Sequence, residues 1–283
     1  MSDAAPTRED FCYRHPDRQS FVLCQRCGRT ICGECQTQAP VGVICPECMR
    51  QQRAEAPRTK PRVFGRIQGA ADRGAPVVTY SLIGISAVVY LIQFLTGSLL
   101  TGLFAFTPQA LVVVNEPWRM VTSLFLHGSV LHLLLNMYTL WIFGQLLEGL
   151  LGRWRFLGLY LISGLAGSVG VVLFGDPRSW VLGASGAIFG LMGAFVVIQR
   201  RFGANLTQLY VLLAINLAIG FLPGANISWQ AHLGGLLGGA LVGLIYLETR
   251  QRSRRGIQIA MLVALVVLLV VVAYFVARLK YGT

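Results

Sequence analysis

Seven long apolar runs follow one another between Val77 and Ala277, and little else in the chain leaves so few folds open. They are Val77–Thr96, Val130–Leu151, Phe156–Phe174, Val181–Val197, Leu206–Leu222, Ile227–Leu247 and Ile257–Ala277. A segment of about 20 apolar residues is long enough to cross the hydrocarbon of a bilayer as a helix. Inside it every backbone N–H and C=O must be paired within the structure, which leaves helices or a closed barrel. The runs are helix-length, so the expected fold class is an all-α polytopic membrane protein. The charged fraction agrees: it is 13%, against about 25% in soluble domains. Residues 1–76 differ sharply, being polar and basic and holding every cysteine. The expected domains are 1–50, a small cysteine-rich unit; 51–76, a basic linker; 77–247, the membrane core; and 248–283, a basic loop with the seventh span. Met1 to Asp10 is polar and is not expected to act as a secretory signal.

The net charge of +12 invites a nucleic-acid reading, but topology accounts for it. With residues 1–76 in the cytoplasm, the inner side holds 20 of the 24 basic residues, including Arg153, Arg155, Arg200, Arg201 and the run Arg250 to Arg255. Arg119, Arg178, Arg278 and Lys280 stay outside. That is the positive-inside pattern. It sets the expected location as the cell (plasma) membrane, multi-pass, with a cytoplasmic N-terminus and an outer C-terminus. Nucleic acid is not an expected partner; the lipid bilayer is. The connection from Gly97 to Ser129 is long and apolar yet interrupted, as an interfacial loop would be.

Polar side chains are costly inside a bilayer and mark function. Asn136 falls about six residues into the second run, Ser185 about four into the fourth and His232 about five into the sixth. In the topology above all three runs enter from outside, so the three residues share a depth. His132 lies one helical turn before Asn136 on the same face. Ser185 and His232 have the chemistry of a nucleophile and its general base. Asn136, the Ser185 backbone N–H and His132 are candidates for stabilising an oxyanion. Glu148 lies about 18 Å away along its helix, and Asp176 is in a loop, so a Ser–His dyad is expected rather than a triad. Gly183 and Gly186 flank Ser185, while Gly234 and Gly235 follow His232. Such small residues let membrane helices approach closely.

The seven cysteines and His15 form four C-x-x-C/H pairs: Cys12/His15, Cys24/Cys27, Cys32/Cys35 and Cys45/Cys48. Eight ligands make two tetrahedral zinc sites with no open position, hence structural ones. So short a unit has too little core to fold without metal. The spacing resembles a B-box-like cross-brace finger, which implies that Cys12/His15 joins Cys32/Cys35 and Cys24/Cys27 joins Cys45/Cys48. Sequential pairing is the alternative. A protein partner for this zinc domain is expected.

The set Trp118-Arg119, His132 to Asn136, Gly183-Ala184-Ser185-Gly186 and Ala231-His232-Leu233-Gly234-Gly235 resembles the rhomboid proteases over roughly residues 77–247. The resemblance implies a six-helix bundle plus one C-terminal transmembrane helix, with Ser185 as nucleophile and His232 as base. It also implies that Asn136 and His132 line the oxyanion hole, that Trp118, Arg119 and His127 hold the outer loop, and that Glu148 is structural. Phe189 stands where the family often has a Tyr beside the base. The implied activity is an intramembrane serine endopeptidase that cuts transmembrane helices of other proteins near their outer end, with no cofactor for catalysis. The alternative is a non-catalytic rhomboid-like scaffold that binds membrane proteins.

Overall fold

In the computed structural model of the chain, residues 8–39, 42–55, 76–221 and 227–282 are described. Most of the expected linker, 56–75, and Leu222 at the end of the fifth run lie outside them. The chain divides into two compact units, Met1–Arg62 and Val63–Thr283.

Among its described residues, the first unit has two short antiparallel strand pairs and one α-helix. Strand β1 (Phe11–Cys12) pairs with β2 (His15–Gln19), β3 (Thr37–Gln38) pairs with β4 (Val43–Ile44), and helix α1 spans Pro46–Glu55. Pro46 opens α1 at the position where a missing N–H costs nothing. The buried apolar residues at its centre are six cysteines with Ile31 and Ile44. Such a core is too small to hold a domain of this size unaided.

The second unit is a helical bundle. Its long helices are α2 (Val77–Thr96), α5 (Val130–Leu151), α6 (Arg153–Phe174), α9 (Trp229–Glu248) and α10 (Arg255–Tyr281). Among the described residues, five helices are long and apolar enough to cross a membrane. Two shorter apolar helices, α7 (Ser185–Arg200) and α8 (Thr207–Ile219), stand where two of the seven expected spans fell. The fourth run is therefore not helical from its start. Val181 forms an isolated antiparallel bridge with Phe106, and Gly183, at φ +124°, donates its N–H to Ser123 O at 2.9 Å. That left-handed turn is open to glycine and strained for other residues, and it delays the helix to Ser185.

Between α2 and α5 lie α3 (Ser98–Phe104), a short helix α4 (Arg119–Thr122) and two 3₁₀ turns. Arg119 ties this stretch together. Its guanidinium pairs with Glu116 and donates to Gly102 O at 2.6 Å and Ala105 O at 3.2 Å. The His127 backbone is clamped from both sides by the Gln93 amide. Loop backbone that the bundle does not pair is thus satisfied by side chains, as burial demands.

Helix α9 lies against α6 and α7, backbone to backbone. A Cβ on Gly235 would stand 1.9 Å from Gly186 O, one on Gly239 2.0 Å from Gly190 O, and one on Gly170 2.3 Å from Gln230 O. These approaches to backbone oxygens leave no room for a side chain at Gly170, Gly235 or Gly239. Glu148 closes the other end of the bundle. Its carboxylate accepts from Val78 N, Thr79 N and Thr79 Oγ1 at 2.8–2.9 Å. A buried carboxylate is tolerated there because it satisfies the first free N–H groups of α2 and meets the positive end of its dipole.

Candidate active site

Ser185 is the first residue of α7, not a turn inside it, and His232 is the fourth residue of α9. The Gly186–Gly235 contact brings the two helix starts together. Ser185 Oγ then lies 2.9 Å from His232 Nε2. Phe189, one turn after Ser185, stacks on the imidazole with ring centres 4.1 Å apart and planes within 10°. The other ring nitrogen, His232 Nδ1, is buried and has no hydrogen-bond partner among the described residues. Neither acidic residue considered from the sequence reaches it: Glu148 caps α2, and Asp176 accepts from the Arg178 N–H in its own turn.

Serines fix both histidine-bearing helix starts. Ser129 accepts from His132 N at 3.1 Å, and Ser228 accepts from Ala231 N at 3.3 Å. Each is a side-chain N-cap, visible in the sequence as a Ser three residues before the bonded N–H. The His132 ring lies over Gly183, where a Cβ would stand 2.7 Å from its Cε1. The ring of buried His127 meets that of His132 edge-on at 5.3 Å. Asn136 is buried, and its amide donates back to His132 O at 2.8 Å. His132 therefore borders the loop that leads into Ser185, whereas the Asn136 amide is held by its own helix. Starting at Ser185 also gives the serine something hydropathy could not reveal. The first N–H groups of α7 are unclaimed by helix carbonyls, and the positive dipole end faces the hydroxyl.

Comparison with known proteins bears on the same stretch. Residues 114–249 match the Rhomboid domain. The chain is 36% identical over 185 residues to the Bacillus subtilis (strain 168) protein named "Putative rhomboid protease YdcA", covering 62% of this chain and 92% of that one. The chain belongs to the rhomboid family. It is 34% identical over 177 residues to the rhomboid protease GluP of the same organism, across 59% of this chain and 34% of GluP. It is 41% identical over 164 residues to RHOMBOID-like protein 6, mitochondrial, of Arabidopsis thaliana, across 55% and 52% of the two chains. This rhomboid thus spans about half the length of the plant relative and a third of GluP. Its apolar helices and its family make it a multi-pass membrane protein.

The cysteine unit of this rhomboid groups its ligands into two sets. Cys12, His15, Cys32 and Cys35 form one, and Cys24, Cys27, Cys45 and Cys48 the other, with the ligand atoms of each set within 4.8 Å of one another. The grouping is interleaved along the chain, not sequential. The chemistry of each set suits a divalent cation. Burial pushes the Cys12 thiol up, but backbone N–H groups of Cys32, Arg14 and His15 outweigh it and bring it to about 6. Cys24 is brought to about 6 in the same way. Burial and the neighbouring Cys12 and Cys32 sulfurs push Cys35 up to about 11, and the Cys45 sulfur with burial pushes Cys48 up to about 12. Thiolates crowded this closely repel one another, and a metal ion among them removes the conflict.

Proposed function

We propose that this rhomboid is a serine endopeptidase that cuts transmembrane helices of other membrane proteins near their outer end. The observation that carries this reading is the 2.9 Å contact between Ser185 Oγ and His232 Nε2. A serine hydroxyl becomes a competent nucleophile when an adjacent base takes its proton. His232 is that base here, with its proton on Nδ1 and its Nε2 lone pair toward Ser185. As Ser185 Oγ attacks the scissile carbonyl, Nε2 takes the hydroxyl proton and then delivers it to the leaving amine. Water attacks the resulting acyl ester by the same route in reverse.

The charge that develops on the carbonyl oxygen falls at the N-terminus of α7. The Ser185 N–H and the His132 ring are its proposed donors, joined by the Asn136 amide once that turns from His132 O. Phe189 keeps the imidazole in plane against the serine. No cofactor takes part. An unpaired substrate backbone is costly in lipid, so the substrates are helices that unwind readily, rich in Gly, Ala or Pro near the cut.

The arginine distribution supports a cytoplasmic N-terminus, an outer C-terminus and residence in the cell membrane. The two cysteine sets are proposed to hold two structural zinc ions, one each, in a B-box-like unit that recruits a protein partner. The test is cleavage of a helical substrate co-reconstituted with the purified chain in liposomes. Ser185→Ala and His232→Ala should each abolish product. Equal cleavage by wild type and both variants would remove the dyad from the chemistry.

A further inference from the structure

At the end of the bundle away from Ser185 lies a groove that neither the dyad nor the metal clusters use. The dyad joins the first turns of α7 and α9, so these helices run the same way and their C-terminal ends sit together, about 22–24 Å further on. They are pressed close as far as Gly243, where a Cβ would stand 3.0 Å from Ala194 Cα. Beyond that point the small residues give way to Val197 on α7 and Leu244 and Leu247 on α9. Between the helix ends is a groove of about 330 Å³ lined by Val197 and Arg200 of α7, by Arg201 at its C-cap, and by Leu244, Leu247 and Glu248 from α9. Each helix contributes an i, i+3, i+4 face, so the lining is one surface rather than scattered residues.

The walls are apolar and the rim is charged with both signs. None of Arg200, Arg201 or Glu248 makes a salt bridge among the described residues. Arg254 adds another guanidinium beside them, donating to Glu248 O at 3.3 Å. Basic pockets between helices at this membrane face suit phospholipid headgroups. The carboxylate narrows the choice. A purely anionic headgroup would leave Glu248 unmatched, and a quaternary ammonium has no N–H to offer it. A primary ammonium one short link from a phosphate matches all three charges.

We infer that this groove is a binding site for an ethanolamine phospholipid, with its phosphate on Arg200 and Arg201, its ammonium on Glu248 and its first methylenes along Val197, Leu244 and Leu247. The lining residues that carry charge are exposed, so their replacement leaves the core untouched. The test is native mass spectrometry of the full chain in detergent with added palmitoyl-oleoyl phosphatidylethanolamine, phosphatidylglycerol or phosphatidylcholine. Each charge-assisted contact is worth roughly a tenfold change in binding. The wild type should retain the ethanolamine lipid about tenfold better than the choline lipid. Arg200→Gln/Arg201→Gln should lose that retention, and Glu248→Gln should lose the preference for ethanolamine over glycerol headgroups. Retention independent of headgroup, or unchanged in both variants, would overturn the assignment. So would glycerol lipid retained above ethanolamine lipid, or a protein dimer in place of lipid adducts.

Discussion

His232 is held at two places on its ring, the Nε2 edge by Ser185 and the face by Phe189, while Nδ1 is buried without a partner among the described residues. With no carboxylate behind the imidazole, its orientation rests on the stacked ring. Phe189→Ala should therefore slow cleavage about three- to tenfold, the worth of one aromatic pair. Phe189→Tyr should stay near wild type, because the stacking face is kept; steady-state rates on one substrate decide both. The serine, both histidines and Asn136 were visible in the sequence as polar residues out of place in apolar runs. The stacking of Phe189 was expected only from the resemblance, and what His132 and Asn136 touch was not legible. Asn136 stood out by depth alone, and its bond back to His132 O depends on a rotamer that no hydropathy pattern encodes.

Helix contacts decide whether the dyad forms, because glycine is what lets α7 and α9 meet. Adding a methyl at Gly239 would place it 2.0 Å from Gly190 O, a backbone atom that cannot swing aside. Gly239→Ala should push the helices apart, lower thermal stability and cut activity about a hundredfold, the usual effect of a misplacement near 1 Å. Gly84→Ala, in α2 with nothing within 4 Å, is the control and should change neither. At the far end of the bundle, Glu148→Gln replaces a carboxylate that accepts three hydrogen bonds. It should destabilise the helical unit by about 2–3 kcal/mol, read by denaturant titration in detergent. Long apolar runs located α2, α5, α9 and α10 to within a few residues. The start of α7 was illegible because Val181 and Leu182 are as apolar as any helix interior, yet Val181 bridges Phe106 as strand. Only the φ of Gly183 distinguishes the two.

At the scale of the whole molecule, two units with different physics share one chain. The helical unit is held by apolar packing in a bilayer, whereas the first is a cysteine cluster with almost no other core. Metal analysis of the purified chain should find two zinc ions per molecule. Removing them with a chelator should expose residues 8–55 to protease while the helical far-UV signal of residues 76–282 persists. The four C-x-x-C/H pairs announced a metal unit plainly. Spacing alone left sequential pairing open; the ligand atoms group in the interleaved way that the B-box-like resemblance implied. The central claim concerns one hydroxyl and one imidazole, and a serine-directed fluorophosphonate interrogates both at once. Intact-mass and peptide analysis after labelling should place a single adduct on Ser185, absent from Ser185→Ala and nearly absent from His232→Ala. No adduct on the wild-type chain, or equal labelling when His232 is replaced, would contradict it.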